Sequence, residues 1–104
     1  MLSVDSVSTW TSLSDAIHDG AHIDIVANVS FQTFITIRHV VGLTISSSVG
    51  ATLTGGWRTP HFELFNSNVS FVGLHFVSGS TSGSGGCIFA GSSVVTVDQV
   101  AFSH

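Results

Sequence analysis

The side chains best suited to touching a ligand sit together in Gly55-Gly56-Trp57-Arg58-Thr59-Pro60-His61. An indole stacks on sugar faces, a guanidinium grips carboxylates in a fork, and recognition residues gather on loops held by a rigid scaffold. Trp57, Arg58 and His61 are therefore candidate ligand-binding residues for a uronic acid or another glycan. The plainer role for Trp57 is to fold back over an exposed apolar edge. His75, between Leu74 and Phe76, points outward if that stretch is extended, and is the fourth candidate.

Catalytic and metal chemistry find less support. The acids are Asp5, Asp15, Asp19, Asp24, Glu63 and Asp98, and no two fall at spacings that would pair them across a scissile glycosidic bond, so no catalytic residue is assigned. Six histidines invite a metal reading, and His18 with His22 has i, i+4 spacing; Gly20 lies between them and no third ligand follows, so no metal is expected and these histidines read as solvent-facing. The run Ser78 to Gly86 lacks the lysine and following helix of a phosphate-cradling loop, and no cofactor is implied. Its Gly and Ser suit a flexible corner. Cys87 is the sole cysteine, which excludes an intrachain disulfide and reads as a small buried side chain. Asn28-Val29-Ser30 and Asn68-Val69-Ser70 are sequons, glycan acceptors in a eukaryotic secretory pathway and otherwise ordinary turn and strand residues.

Charge narrows the partners. Two basic residues, Arg38 and Arg58, stand against six acids for a net charge of −4, which argues against nucleic acid or anionic lipid bound through a basic patch. Only 8% of residues are charged, against roughly a quarter in an average domain, while 43% are hydrophobic and Ser, Thr and Gly fill the difference. No apolar run approaches the roughly 20 residues of a membrane-spanning helix, and Met1-Leu2-Ser3-Val4-Asp5 lacks the basic start and apolar core of a secretory signal.

What must position these side chains follows from periodicity. Ser12 to Gly20 reads as about two turns of helix, with Leu13, Ala16 and Ile17 on one face, Ser12 or Ser14 as cap and Gly20 as stop. From His22 the period becomes two, in Ile23-Asp24-Ile25, Val29-Ser30-Phe31, Leu43-Thr44-Ile45, Phe62-Glu63-Leu64, Val69-Ser70-Phe71, Leu74-His75-Phe76, Val95-Thr96-Val97 and Val100-Ala101-Phe102. Slid against itself by 26 positions, the sequence sets Phe62 on Ile88, Leu64 on Ala90, Val69 on Val95, Phe71 on Val97, Leu74 on Val100 and Phe76 on Phe102. Leu43 and Ile45 meet Val69 and Phe71 at the same offset, whereas Val49 to Leu53 matches Val72 to Phe76 at 23, as corner insertions would produce.

Such a repeat predicts an all-β chain: a right-handed single-stranded parallel β-helix, a solenoid whose equivalent side chains stack in inward ladders. A β-sandwich is the alternative, but it needs no register between repeats and would want Asn-Gly or Asp-Gly hairpins. The expected organisation is a single domain over 1–104, with 1–21 as an N-terminal strand and helix cap and 22–104 as three to four coils.

The stretch from Trp10 through Leu13, Ala16, Ile17 and Gly20 to Ile23 and Ile25 resembles the amphipathic cap and first strand of pectin-lyase-like right-handed β-helices. Gly85-Gly86-Cys87-Ile88-Phe89-Ala90 and the following Val94 to Ser103 resemble the Gly-Gly-Ala-Ile and Phe-x-x-Asn repeats of polymorphic outer-membrane-protein β-helices, with Cys87 in the place of Ala and no Asn after Phe102. The resemblance implies a non-catalytic, cell-surface or secreted adhesin-like module, one part of a longer repeat array, that offers a hydroxyl-rich face and corner loops to a glycan or a surface protein. It also admits the N-terminal part of a polysaccharide lyase or glycoside hydrolase acting on acidic polysaccharide, or a structural spacer. Val100 and Phe102, at the last coil, are the expected route of self-association.

Overall fold

The computed structural model describes residues 4–31, 33–55, 61–78 and 88–103. Among them are twelve strands and one helix: β1 (Asp5–Val7), α1 (Trp10–Asp15), β2 (His22–Ile25), β3 (Val29–Ser30), β4 (Ile35–Arg38), β5 (Leu43–Ser46), β6 (Thr52–Gly55), β7 (Phe62–Phe65), β8 (Asn68–Val72), β9 (His75–Ser78), β10 (Ile88–Gly91), β11 (Val94–Asp98) and β12 (Ala101–Ser103). They form three sheets, ordered β1-β2-β5-β8-β11, β3-β6-β9-β12 and β4-β7-β10. All the strand pairings are parallel. From β2 onward the chain visits the sheets in one fixed order, so each strand pairs with the strand one circuit earlier or later.

The offset seen in the sequence is the register of the later strands. Phe62 pairs with Ile88, Val69 with Val95, Phe71 with Val97 and Phe76 with Phe102, each 26 positions on. The 23-residue offset is equally real, since Thr52 and Leu53 pair with His75 and Phe76. Every second residue is buried, as period two requires of strands with one covered face: Ile35 and Ile37, Leu43 and Ile45, Phe62 and Leu64, Val69 and Phe71 all point into one core. Phe62, Phe71 and Phe76 fill its centre, with ring centroids 5.2 to 6.2 Å apart and tilted or edge-on.

The corners explain the hydroxyl-rich composition. Tight turns leave backbone donors and acceptors without ladder partners, and short polar side chains from the adjacent circuit satisfy them. Asp24 accepts from the Ser48 amide and hydroxyl at 2.8 and 2.9 Å, Asn28 Oδ1 from the Thr52 amide at 2.9 Å, and Asp19 Oδ1 from the Val41 amide at 2.9 Å. Ser67 accepts from the Val40 amide, and Ser93 in turn from the Ser67 amide, both at 3.1 Å. Asn66 and Ser92, 26 positions apart, open equivalent two-residue corners in the left-handed conformation at φ 51°. Gly73 does the same at φ 67°, where a Cβ would also come within 2.8 Å of the Ser47 carbonyl oxygen.

The helix departs from its expected bounds. It begins earlier, because Thr9 rather than Ser12 or Ser14 is the N-cap: the Thr9 hydroxyl accepts from the Ser12 amide at 3.1 Å and the Ser12 hydroxyl accepts from the Thr9 amide at 3.1 Å. It also ends at Asp15, with Ala16 as C-cap, and Gly20 serves the following turn instead, donating its N–H to the Val41 carbonyl at 2.9 Å. Leu13 is fully buried, and Trp10 donates to the Thr33 carbonyl at 3.1 Å.

One close approach yields a stability test. A Cβ at Gly55 would stand 2.7 Å from the Phe31 Cβ. The Phe31 ring is wedged edge-on against His61 and Phe62, at 5.0 and 5.4 Å, and has little room to retreat. Gly55→Ala is therefore expected to cost about 1–3 kcal/mol through overpacking. A thermal midpoint unchanged from the parent would contradict this packing.

Candidate functional site

Among the described residues, the outer face of the β4-β7-β10 sheet brings a cation, a carboxylate and aromatic rings together. Because Ile35 and Ile37 turn inward, Thr36 and Arg38 turn outward; because Phe62 and Leu64 turn inward, Glu63 and Phe65 turn outward. Parallel pairing then sets Arg38 beside Phe65, and Glu63 between Thr36 and Phe89. The Arg38 guanidinium carbon lies 4.5 Å from the Phe65 ring centroid, a cation–π contact that restrains the charged group. Phe89 approaches the same ring at 6.0 Å and 52° while remaining 52% exposed. Gly91 pairs with Phe65, and a Cβ there would meet the ring at 3.4 Å. An apolar platform, a cation and a carboxylate thus share one face.

The sequence-derived candidates distribute differently. Trp57 and Arg58 lie outside the described residues, as do Cys87 and the Gly- and Ser-rich run from 79 to 86. His75 opens β9 half-buried, between the buried Leu74 and Phe76. Asn28 and Asn68 are both exposed, Asn28 at a corner and Asn68 at the start of β8.

His61 corrects the expectation of a solvent-facing imidazole in a recognition loop, for it is fully buried. Its Nε2 donates to the Leu53 carbonyl at 2.9 Å, and its ring stands edge-on to Phe31 and Phe76, at 5.0 and 5.2 Å. Nδ1 has no hydrogen-bond partner among the described residues. Burial pushes the imidazole pKa below its ordinary value, against a weaker upward pull from the Leu53 and Val77 carbonyls. The residue reads as a core histidine that ties the start of β7 to β6.

His18 and His22 are not drawn into a shared site: His18 Nδ1 bonds the Asp19 carbonyl at 2.9 Å, and His22 Nε2 lies 3.5 Å from the Ser46 hydroxyl. Among the described residues no group of three or more His, Cys, Asp or Glu side chains is arranged to hold a metal ion. No described helix is long and apolar enough to cross a membrane.

Arg38, Phe65 and Phe89 are what the sequence reading missed. The 26-residue offset sets Phe89 on Glu63, but Arg38 reaches Phe65 through the 27-residue register of β4 and β7, which the repeat does not carry. Comparison with family models, curated proteins and solved structures finds no match to this chain.

Proposed function

We propose that the chain is a right-handed parallel β-helix, pectin-lyase-like in architecture, with α1 as its N-terminal cap. The parallel pairing throughout and the fixed visiting order of the sheets support this reading, and a crossover between parallel strands of one sheet is right-handed in about 98% of cases. Its function is that of a non-catalytic, adhesin-like binding module, secreted or displayed at a cell surface, whose outer face contacts glycans.

The observation that carries the function is the Arg38–Phe65–Phe89 patch. Arg38 is what suits it to acidic sugars: the guanidinium takes a uronate carboxylate, the phenyl rings pack the sugar's C–H face, and Glu63 accepts from hydroxyls. Trp57 and Arg58 precede His61 and β7 in sequence, and as sequence-derived candidates they are included in its test.

Binding to an array that includes uronate-containing glycans tests this. Retention of acidic glycans, lowered at least fivefold by Arg38→Ala and by Phe65→Ala, is the expected result, with Trp57→Ala and Arg58→Ala reporting the share of those two residues. No retention by the parent, or retention indifferent to all these substitutions, would refute it.

A further inference from the structure

We infer that the glycan taken by the β4-β7-β10 face is one in which uronate alternates with a neutral sugar, and that Glu63 excludes runs of consecutive uronates. The inference rests on the glycan reading of this face and adds to it the order of the sugars.

The outward side chains stand in two rows that cross the three strands. Parallel register sets Arg38, Phe65 and Gly91 in one row and Thr36, Glu63 and Phe89 in the other. A ligand laid along a single strand would centre on Arg38, on Glu63 or on Phe89. Laid across the strands it meets all three in turn: the guanidinium, then the carboxylate one strand on, then the Phe89 ring two strands on. Strand steps are about 4.8 Å, so cation and ring lie about 10 Å apart measured across the strands, a span of about two sugar residues.

The charges along that path fix which sugar goes where. Arg38 is the only lysine or arginine among the described residues, and no carboxylate among them pairs with it; its guanidinium carbon lies 4.5 Å from the Phe65 ring centroid. Its fork is therefore open to one uronate carboxylate. A second uronate joined directly to the first brings its own carboxylate to Glu63, one strand on. If only alternate residues face the sheet, the next carboxylate comes instead to the Phe89 ring, two strands on. Like charge at Glu63 lowers affinity about fourfold for unit charges about 5 Å apart in water at low salt. The negative face of a phenyl ring offers an anion no compensation. The net charge of −4 adds a general repulsion against every further carboxylate. A neutral sugar suits both places, because its hydroxyls donate to Glu63 and its C–H face packs on Phe89.

Calorimetric titration of the full chain at low salt with two tetrasaccharides is the test. One alternates glucuronate with N-acetylglucosamine; the other is galacturonate throughout. The alternating one should bind at least threefold tighter, and Arg38→Ala should weaken both at least fivefold. Glu63→Gln keeps the shape of the side chain and removes its charge, so it should raise the affinity for tetragalacturonate about threefold, a gain that damage to the fold would not produce. In the parent, added salt should narrow the gap between the two ligands, because a repulsion between exposed charges is screened. Equal affinities, a preference for tetragalacturonate, or no gain for it in Glu63→Gln would overturn the inference; the glycan reading would still stand if Arg38→Ala weakened both ligands. Binding of neither would overturn the inference too, and the glycan reading would fall with it only if the wider array were also blank.

Discussion

Phe71→Ala is expected to remove a large part of the chain's stability. The Phe71 ring is fully buried, paired in register with Ile45 and Val97, and packed against Phe62 and Phe76 at 5.2 and 5.7 Å. Truncating such a ring costs about 3–5 kcal/mol, through lost transfer free energy and the cavity left behind. A small domain has about 5–15 kcal/mol in total, so the variant should unfold at a much lower urea concentration or populate the unfolded state in buffer. The sheets allow little relaxation, because parallel neighbours on both sides of β8 hold its backbone in place. Val97→Ala supplies the contrast: it is the next residue of the same inward ladder but half exposed, and at dilutions where the chain is monomeric it should cost no more than about 1 kcal/mol. Urea titrations giving the two variants similar midpoints would mean that the core is not organised as these ladders.

That contrast shows why the arrangement of strands could be read from the sequence while the candidate site could not. Inward positions are chemically constrained in every circuit: a polar residue at Phe71 or Leu64 would be buried without a partner, so the apolar pattern repeats and the offset of 26 becomes visible. Outward positions carry no such constraint. Arg38, Phe65 and Phe89 do not resemble one another, so no ladder marked them, and only the lateral register brings them together. The strand Ile35–Arg38 falls outside the 26-residue repeat, because its offset to β7 is 27 and the early corners differ in length.

Corners defeat periodicity for a second reason, and the helix and His61 both illustrate it. The Thr9 and Ser12 reciprocal bonds depend on a hydroxyl occupying the place where Glu or Gln is the usual signal, so the start expected at Ser12 or Ser14 lies after the actual cap, Thr9. His61 and Phe62 are adjacent yet both buried, which strict alternation forbids. Alternation holds only where the backbone is extended, and His61 is the corner residue that precedes the strand.

The buried imidazole makes the fold sensitive to acid. Its neighbours offer the Leu53 and Val77 carbonyls and the edges of the Phe31 and Phe76 rings, and none of these carries a full charge that could compensate a buried imidazolium. Burial lowers its pKa in the folded chain, whereas the unfolded chain keeps the ordinary value near 6.5. Below about pH 6.5 the unfolded state therefore takes up a proton that the folded state refuses, and the balance shifts toward unfolding. The contribution of His61 to stability is complete above that pH and declines as the pH falls, until the folded form is protonated as well. One proton limits the slope to about 1.4 kcal/mol per pH unit. His61→Phe keeps a ring between Phe31 and Phe76 but cannot titrate, and it forfeits about 1 kcal/mol for the lost bond to Leu53. Urea unfolding between pH 7.5 and 5 should show the parent losing its advantage over the variant as the pH falls. Parallel pH profiles for the two chains would place the acid sensitivity elsewhere and return His61 to a purely steric role.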